Sequence, residues 1–122
     1  MDSTTFDNDG VRAYLREVGT VPPLTKEQEI ELSQHVLAND QHAESASKTL
    51  AEANLAAVVS IAERYSGGNI HILDLIQTGN DGLLYALETF PEHPTQSFSA
   101  YAAECAEAAI AKAIADSKPL AE

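Results

Sequence analysis

The stretch from Ile70 to Phe90 constrains this chain most. Leu73, Ile76, Leu83, Leu84 and Leu87 recur there at a spacing that predicts one face of a helix. Yet Gly79 and Gly82 stand in its middle, flanking Asn80 and Asp81. Glycine inside a helix costs about 1 kcal/mol against alanine, so two so close together need a structural reason. Three readings are open: a bend in the helix, a second backbone that comes close, or a helix–turn–helix with a glycine cap near Gly79. A close-approach surface would be edged by Asp74, Gln77 and Asn80 and would suit another helix.

The rest of the chain reads as helices separated by clear stops. Residues 1–10 are polar and expected to be flexible, with Asp9 a plausible N-cap. Val11, Tyr14, Leu15 and Val18 then predict a short amphipathic helix, ended by Gly19 and by Pro22-Pro23. Thr25 with Gln28 three residues on predicts a capping box, and Glu27, Glu29 and Glu31 suit the dipole of the helix it opens. Ile30, Leu32, Val36 and Leu37 are that helix's expected apolar contacts, with His35 beside them as a partly exposed surface residue. After a polar break at Asn39 to Ala43, one long helix is expected from about Glu44 to Tyr65, stopped by Ser66-Gly67-Gly68-Asn69.

Pro91 and Pro94 bracket Glu92-His93 in a predicted loop. Ser97 is placed to cap a last helix from about Phe98 to Asp116, ended by Lys118-Pro119. Phe98, Tyr101, Cys105, Ala109 and Ile110 or Ile114 are its expected inward residues, and nine alanines make it slim. No strand-like alternation, repeat or low-complexity tract interrupts the pattern. The expected fold is all-α, a compact bundle of about five helices in one domain.

Charge and cysteine usage exclude several functions. Nineteen acidic residues against seven basic ones give a net charge of −12, opposite to the footprint of a nucleic-acid binder. Phosphate and anionic lipid repel such a surface, and basic protein surfaces attract it. The single Cys105 rules out an internal disulfide and fits a reducing compartment. The N-terminus has no signal-peptide pattern, and no apolar run nears the ~18 residues of a membrane helix, so a soluble cytoplasmic protein is expected. His35, His42, His71 and His93 fall in no ligand spacing; His71 and Asp74 could share a metal only as an incomplete pair. Ser60, Ser66 and Ser99 have no neighbouring base. No enzymatic activity, metal or cofactor is expected.

LDLIQTGNDGLLYALETF, residues 73–90, strongly resembles region 2.2 of the sigma-70 family of bacterial transcription initiation factors. VRAYLREVGTVPPLTKEQEIEL resembles region 1.2, and ANLAAVVSIAERYSGG region 2.1, with Asn54, Leu55, Val58, Val59 and Tyr65 matching the family's core pattern. FSAYA at Phe98–Ala102 is similar to the start of region 2.3, and AIADSKP at Ala113–Pro119 to the beginning of region 2.4. The resemblance implies a region 1.2-like helical pair over 11–40 and a region 2-like helical domain over 41–122. The family's later domains, which bind the −35 element and the β flap, are not matched.

In the family, region 2.2 grips the helical coiled coil of the β′ clamp of core RNA polymerase. The resemblance therefore implies polymerase-binding roles for Asp74, Leu75, Ile76, Gln77, Gly79, Asn80 and Leu83, while Asp81 stands where the family usually has an aliphatic residue. It implies DNA-binding roles for Phe90, Phe98, Tyr101 and Lys112. Other DNA positions depart from the family. Glu104 and Cys105 replace its paired tryptophans, Glu107 a basic residue and Ala108 a glutamine. Basic residues common in the family are also replaced at Ala56, Glu63, Thr89, Pro94 and Ser97, and no Lys or Arg occurs from Tyr65 to Ala111. Base–aromatic stacking contributes about 1–3 kcal/mol per base, and phosphate affinity needs clustered cations. The expected protein docks on polymerase while −10 promoter DNA binding and melting are weak or lost, as in a regulator, a decoy or one part of a divided sigma factor. Two alternatives are a divergent but working sigma factor, and an acidic decoy for an anti-sigma protein.

Overall fold

Helix-start chemistry positions much of the architecture. In the computed structural model, which describes residues 3–68, 70–92 and 97–117, Thr25 and Gln28 form the expected capping box. The Thr25 hydroxyl accepts the Gln28 N–H at 3.1 Å, and the Gln28 side chain accepts the Thr25 N–H at 2.9 Å. Ser97 accepts from the Ala100 N–H, and His71 Nδ1 from the Leu73 N–H at 3.1 Å. The described residues form α1 (Ser3–Gly19), α2 (Lys26–Ala38), α3 (Ala43–Ala53), α4 (Leu55–Arg64), α5 (Ile72–Thr89) and α6 (Phe98–Asp116), with a 3-10 turn at Phe90–Glu92. There is no strand among them.

Two helix boundaries differ from expectation. The first helix starts at Ser3, so Asp9 lies inside it rather than capping it. No proline interrupts that segment, and a nucleated helix propagates through tolerant polar residues. The long helix expected to Tyr65 is broken into α3 and α4 at Asn54, whose backbone sits at φ −103, ψ 1. Its buried side chain donates through Nδ2 to the Leu50 carbonyl at 2.8 Å and fixes the break. The apolar period continues on both sides, which is why the pattern reads as one helix. Gly67 has φ +98, the left-handed residue expected at the stop. Asn69, residues 93–96 and Lys118-Pro119 lie outside the described residues.

The paired glycines have a clear role. α5 runs through both without a break. A Cβ on Gly79 would lie 2.6 Å from Val58 Cγ1 and 3.0 Å from Ile110 Cδ1. One on Gly82 would lie 2.6 Å from the Cys105 carbonyl oxygen and 2.8 Å from Ala106 Cα. Close approach is the correct reading of the three, and the approaching backbone is the protein's own α6. Gly79 beside Ile110, Gly82 beside Ala106 and Thr89 beside Tyr101 make the two helices antiparallel.

The core sits where α4, α5 and α6 meet. Leu50, Leu75, Leu83, Phe98 and Ile110 are fully buried, each contributing roughly 1.5–3 kcal/mol. Along α6 the buried stripe is Phe98, Ala102, Ala106 and Ile110, an i, i+4 ridge seated on the α5 glycines. Tyr101, Cys105 and Ala109, expected inward, are only half-buried. Ile30, Leu37 and Leu84, also expected in apolar contacts, are 49%, 40% and 55% exposed. Glu29 ties α2 to the start of α6 by accepting the Ser99 N–H at 2.7 Å, where the helix dipole favours a carboxylate.

Candidate functional site

The outward side of α5 carries the chemistry that the core does not use. Leu75, Ile76, Gly79, Gly82, Leu83 and Ala86 face inward and are buried. With that face fixed, positions 74, 77, 81, 84 and 88 form one stripe at alternating spacings of three and four, the period of a helix seam. Asp74, Gln77, Asp81, Leu84 and Glu88 occupy it, and all are exposed. Its chemistry is three carboxylates, one amide and one leucine. It suits a helix that offers cations around an apolar contact.

The structure divides the expected polymerase-binding residues into three groups. Asp74 and Gln77 are on the surface stripe. Leu75, Ile76 and Leu83 are at most 3% exposed, and Gly79 is buried against Val58 and Ile110, so these four build the fold. Asn80 is half-buried and donates through Nδ2 to the Tyr14 hydroxyl at 3.1 Å, fastening α1 to α5. Its Oδ1 is buried with no hydrogen-bond partner among the described residues. Leu84 and Tyr85, 55% and 58% exposed, are the surface residues that sequence reading missed. The signal was there: adjacent leucines at 83 and 84 lie about 100° apart on a helix, so one neighbour cannot bury both.

The expected DNA-binding residues are divided as well. Phe90 and Phe98 are 3% and 1% exposed and pack edge to face, with centroids 5.4 Å apart. In this fold they are core residues. Tyr101 is half-buried, its hydroxyl 2.6 Å from Thr89 Oγ1. Lys112 is exposed and donates to Asp116 Oδ2 at 2.6 Å, a hydrogen bond that raises its pKa and offsets its charge. Tyr101 and Lys112 both border an open groove between α5 and α6, together with Tyr85, Glu104 and Cys105. Burial pushes the Cys105 thiol up, so it stays protonated near neutral pH.

Carboxylates hold two further joints. Glu107 Oε2 accepts the Tyr65 hydroxyl at 2.9 Å, and Arg64 lies 3.6 Å from its other oxygen. Asp40 lies 2.7 Å from His35 Nδ1 and accepts the His42 N–H at 2.8 Å, closing the α2–α3 turn. The His35 hydrogen bond is the main cause that lowers the Asp40 pKa. Among the described residues no group of three or more His, Cys, Asp or Glu is arranged to hold a metal, and His71 serves as the α5 cap. No described helix is long and apolar enough to cross a membrane.

Fold and surface together define the class: an all-α domain with an acidic, partly apolar helix face of the kind that packs on another helix. Comparison with known proteins makes this specific. Residues 9–42 match the family model for sigma-70 factor region 1.2, and residues 50–119 match sigma-70 region 2. Curated relatives named RNA polymerase sigma factor SigA are 49% identical in a Bacillus species, 46% in Lactococcus lactis subsp. cremoris and 50% in Clostridium acetobutylicum. Each match covers 109 residues and 89% of this chain, and 28%, 30% and 28% of the respective relative. The chain belongs to the sigma-70 family, and it spans less than a third of the length of these relatives.

Proposed function

We propose that this chain is a transcription-initiation protein that docks on the helical coiled coil of the β′ clamp of bacterial RNA polymerase, and that it holds −10 promoter DNA weakly or not at all. The observation that carries the docking is the exposed stripe Asp74, Gln77, Asp81, Leu84 and Glu88 on a helix whose opposite face is buried in the core. A stripe of that period fits a helical partner, and its carboxylates fit a basic one. The protein acts in the cytoplasm, where that polymerase works.

The weak DNA half of the proposal rests on what the DNA positions do. Phe90 and Phe98 fill the core, Glu107 is engaged by Tyr65 and Arg64, and Lys112 is met by Asp116. Stacking contributes about 1–3 kcal/mol per base, so two buried rings remove much of the affinity a melted strand would need. Carboxylates at Glu104 and Asp81 repel the backbone.

Titration of the folded chain with the isolated β′ clamp coiled coil tests the docking. Gln77→Ala and Leu84→Arg are expected to weaken binding by about tenfold or more, a loss near 1.4 kcal/mol. Undiminished binding in both variants removes the interface. Titration with single-stranded −10 DNA at low salt, with core polymerase present, tests the other half. Specific submicromolar binding there would favour the alternative of a working sigma factor.

A further inference from the structure

Where Gly82 brings α5 against α6, the two helices leave an open groove of about 500 Å³ on their outer side. Its floor is made of small residues, Gly82, Cys105, Ala108 and Ala109. Tyr85 and Tyr101 form its aromatic wall, and Tyr85 is 58% exposed. Asp81 and Glu104 stand on the rim, and among the described residues neither carboxylate has a cationic partner. Lys112 also reaches the rim, but its charge is offset by Asp116. The groove is thus apolar inside and net negative at its edge.

We propose that this groove is a second docking site, one that receives an amphipathic helix of a basic protein partner. An apolar side chain of that helix enters between Tyr85 and Ala108, and flanking Lys or Arg residues meet Asp81 and Glu104. The volume suits one or two large side chains, within the usual range of about 300–1,000 Å³ for binding pockets. The small floor residues let a helix come close, and an exposed tyrosine is a residue type that anchors interfaces. The acidic rim repels a phosphate backbone, and a second copy of a chain with net charge −12 is repelled in the same way. The groove opens on the α6 side of α5, so it stands apart from the Asp74–Glu88 stripe except at Asp81, which borders both.

The test uses the full chain and two synthetic peptides of identical Leu/Lys composition, one with its leucines on a single helical face and one shuffled. Fluorescence anisotropy is expected to give micromolar binding of the amphipathic peptide and at least about tenfold weaker binding of the shuffled one. Ala108→Phe fills the groove at an exposed position without changing charge, and Glu104→Lys reverses the rim. Each is expected to weaken the amphipathic peptide by about tenfold or more while circular dichroism stays native. Leu84→Arg, on the stripe, leaves groove binding within about threefold, well under 1 kcal/mol. Equal binding of both peptides would mean attraction by charge alone and would overturn the proposal, as would undiminished binding to Ala108→Phe. Displacement of the peptide by single-stranded DNA would overturn it in favour of nucleic acid. Because the clamp titration reads a different face, either proposal can fail without the other.

Discussion

The Tyr65 hydroxyl donates to Glu107 Oε2 at 2.9 Å across 42 residues of sequence, joining the end of α4 to the middle of α6. Arg64 lies 3.6 Å from the other carboxylate oxygen. Glu107 stands where the family resemblance implies a basic residue, and its carboxylate serves here as a structural latch.

That latch predicts a titration. The hydrogen bond to Glu107 is the first cause that raises the Tyr65 pKa above 10.0, followed by burial. A raised folded-state value means the interaction stabilises the fold fully below the unfolded tyrosine pKa and is lost as pH rises through the folded one. Near-ultraviolet absorbance of the phenolate is expected to show a late-titrating tyrosine, and Glu107→Gln is expected to move it back toward 10.0. An unchanged titration in Glu107→Gln would remove the latch.

The glycine contacts predict an order of stabilities. A methyl group at Gly82 meets α6 backbone at 2.6 and 2.8 Å, which can relax only by moving the helix. At Gly79 it meets side-chain atoms of Val58 and Ile110, which can give. Alanine gains about 1 kcal/mol of helix propensity at either site, while overpacking costs about 1–3 kcal/mol. Gly82→Ala is expected to lower the stability more than Gly79→Ala in urea unfolding at unchanged m. A more stable Gly82→Ala protein would exclude close packing as the reason for that glycine.

These contacts mark what the sequence could and could not disclose. Capping signals and glycine stops are local, so Thr25, Ser97 and Gly67 were readable in place. The break at Asn54 was not, because it depends on a buried amide bonding one turn back, which leaves the apolar period unchanged. The α5 surface was only half readable. Motif resemblance marks α5 as important but does not separate residues that build the helix packing from residues that face outward. Leu75 and Leu83 belong to the first group, Gln77 to the second, and Leu84 joins it only once the buried face is known. The groove was invisible because it depends on how α5 and α6, consecutive in the chain, pack side by side, which neither helix's own apolar period discloses.

The α2–α3 turn predicts a second titration. Asp40 accepts from the His42 N–H and pairs with His35, and the His35 hydrogen bond leads the causes that hold its pKa below 3.8. A lowered value means the stabilisation is present above the ordinary carboxylate pKa and fades as pH falls through the folded one. Carboxyl NMR is expected to show Asp40 titrating below 3.8, and His35→Ala is expected to shift it upward. A midpoint unmoved by His35→Ala would leave the His42 N–H as the bond that matters.

A last pair of substitutions separates surface from scaffold on α5. Leu75 is fully buried, so Leu75→Ala should cost about 2–5 kcal/mol of stability through the lost contacts and the cavity. Its partner affinity, corrected for the folded fraction, should then stay near that of the parent chain. Leu84 is 55% exposed, so Leu84→Ala should change stability by no more than about 0.5 kcal/mol. If α5 docks through its outer stripe, the same change lowers affinity for the β′ clamp coiled coil severalfold. Thermal unfolding and the titration together read both quantities for each variant. The opposite pattern, with Leu75→Ala losing affinity in its folded state and Leu84→Ala keeping it, would require α5 to expose its present core on binding.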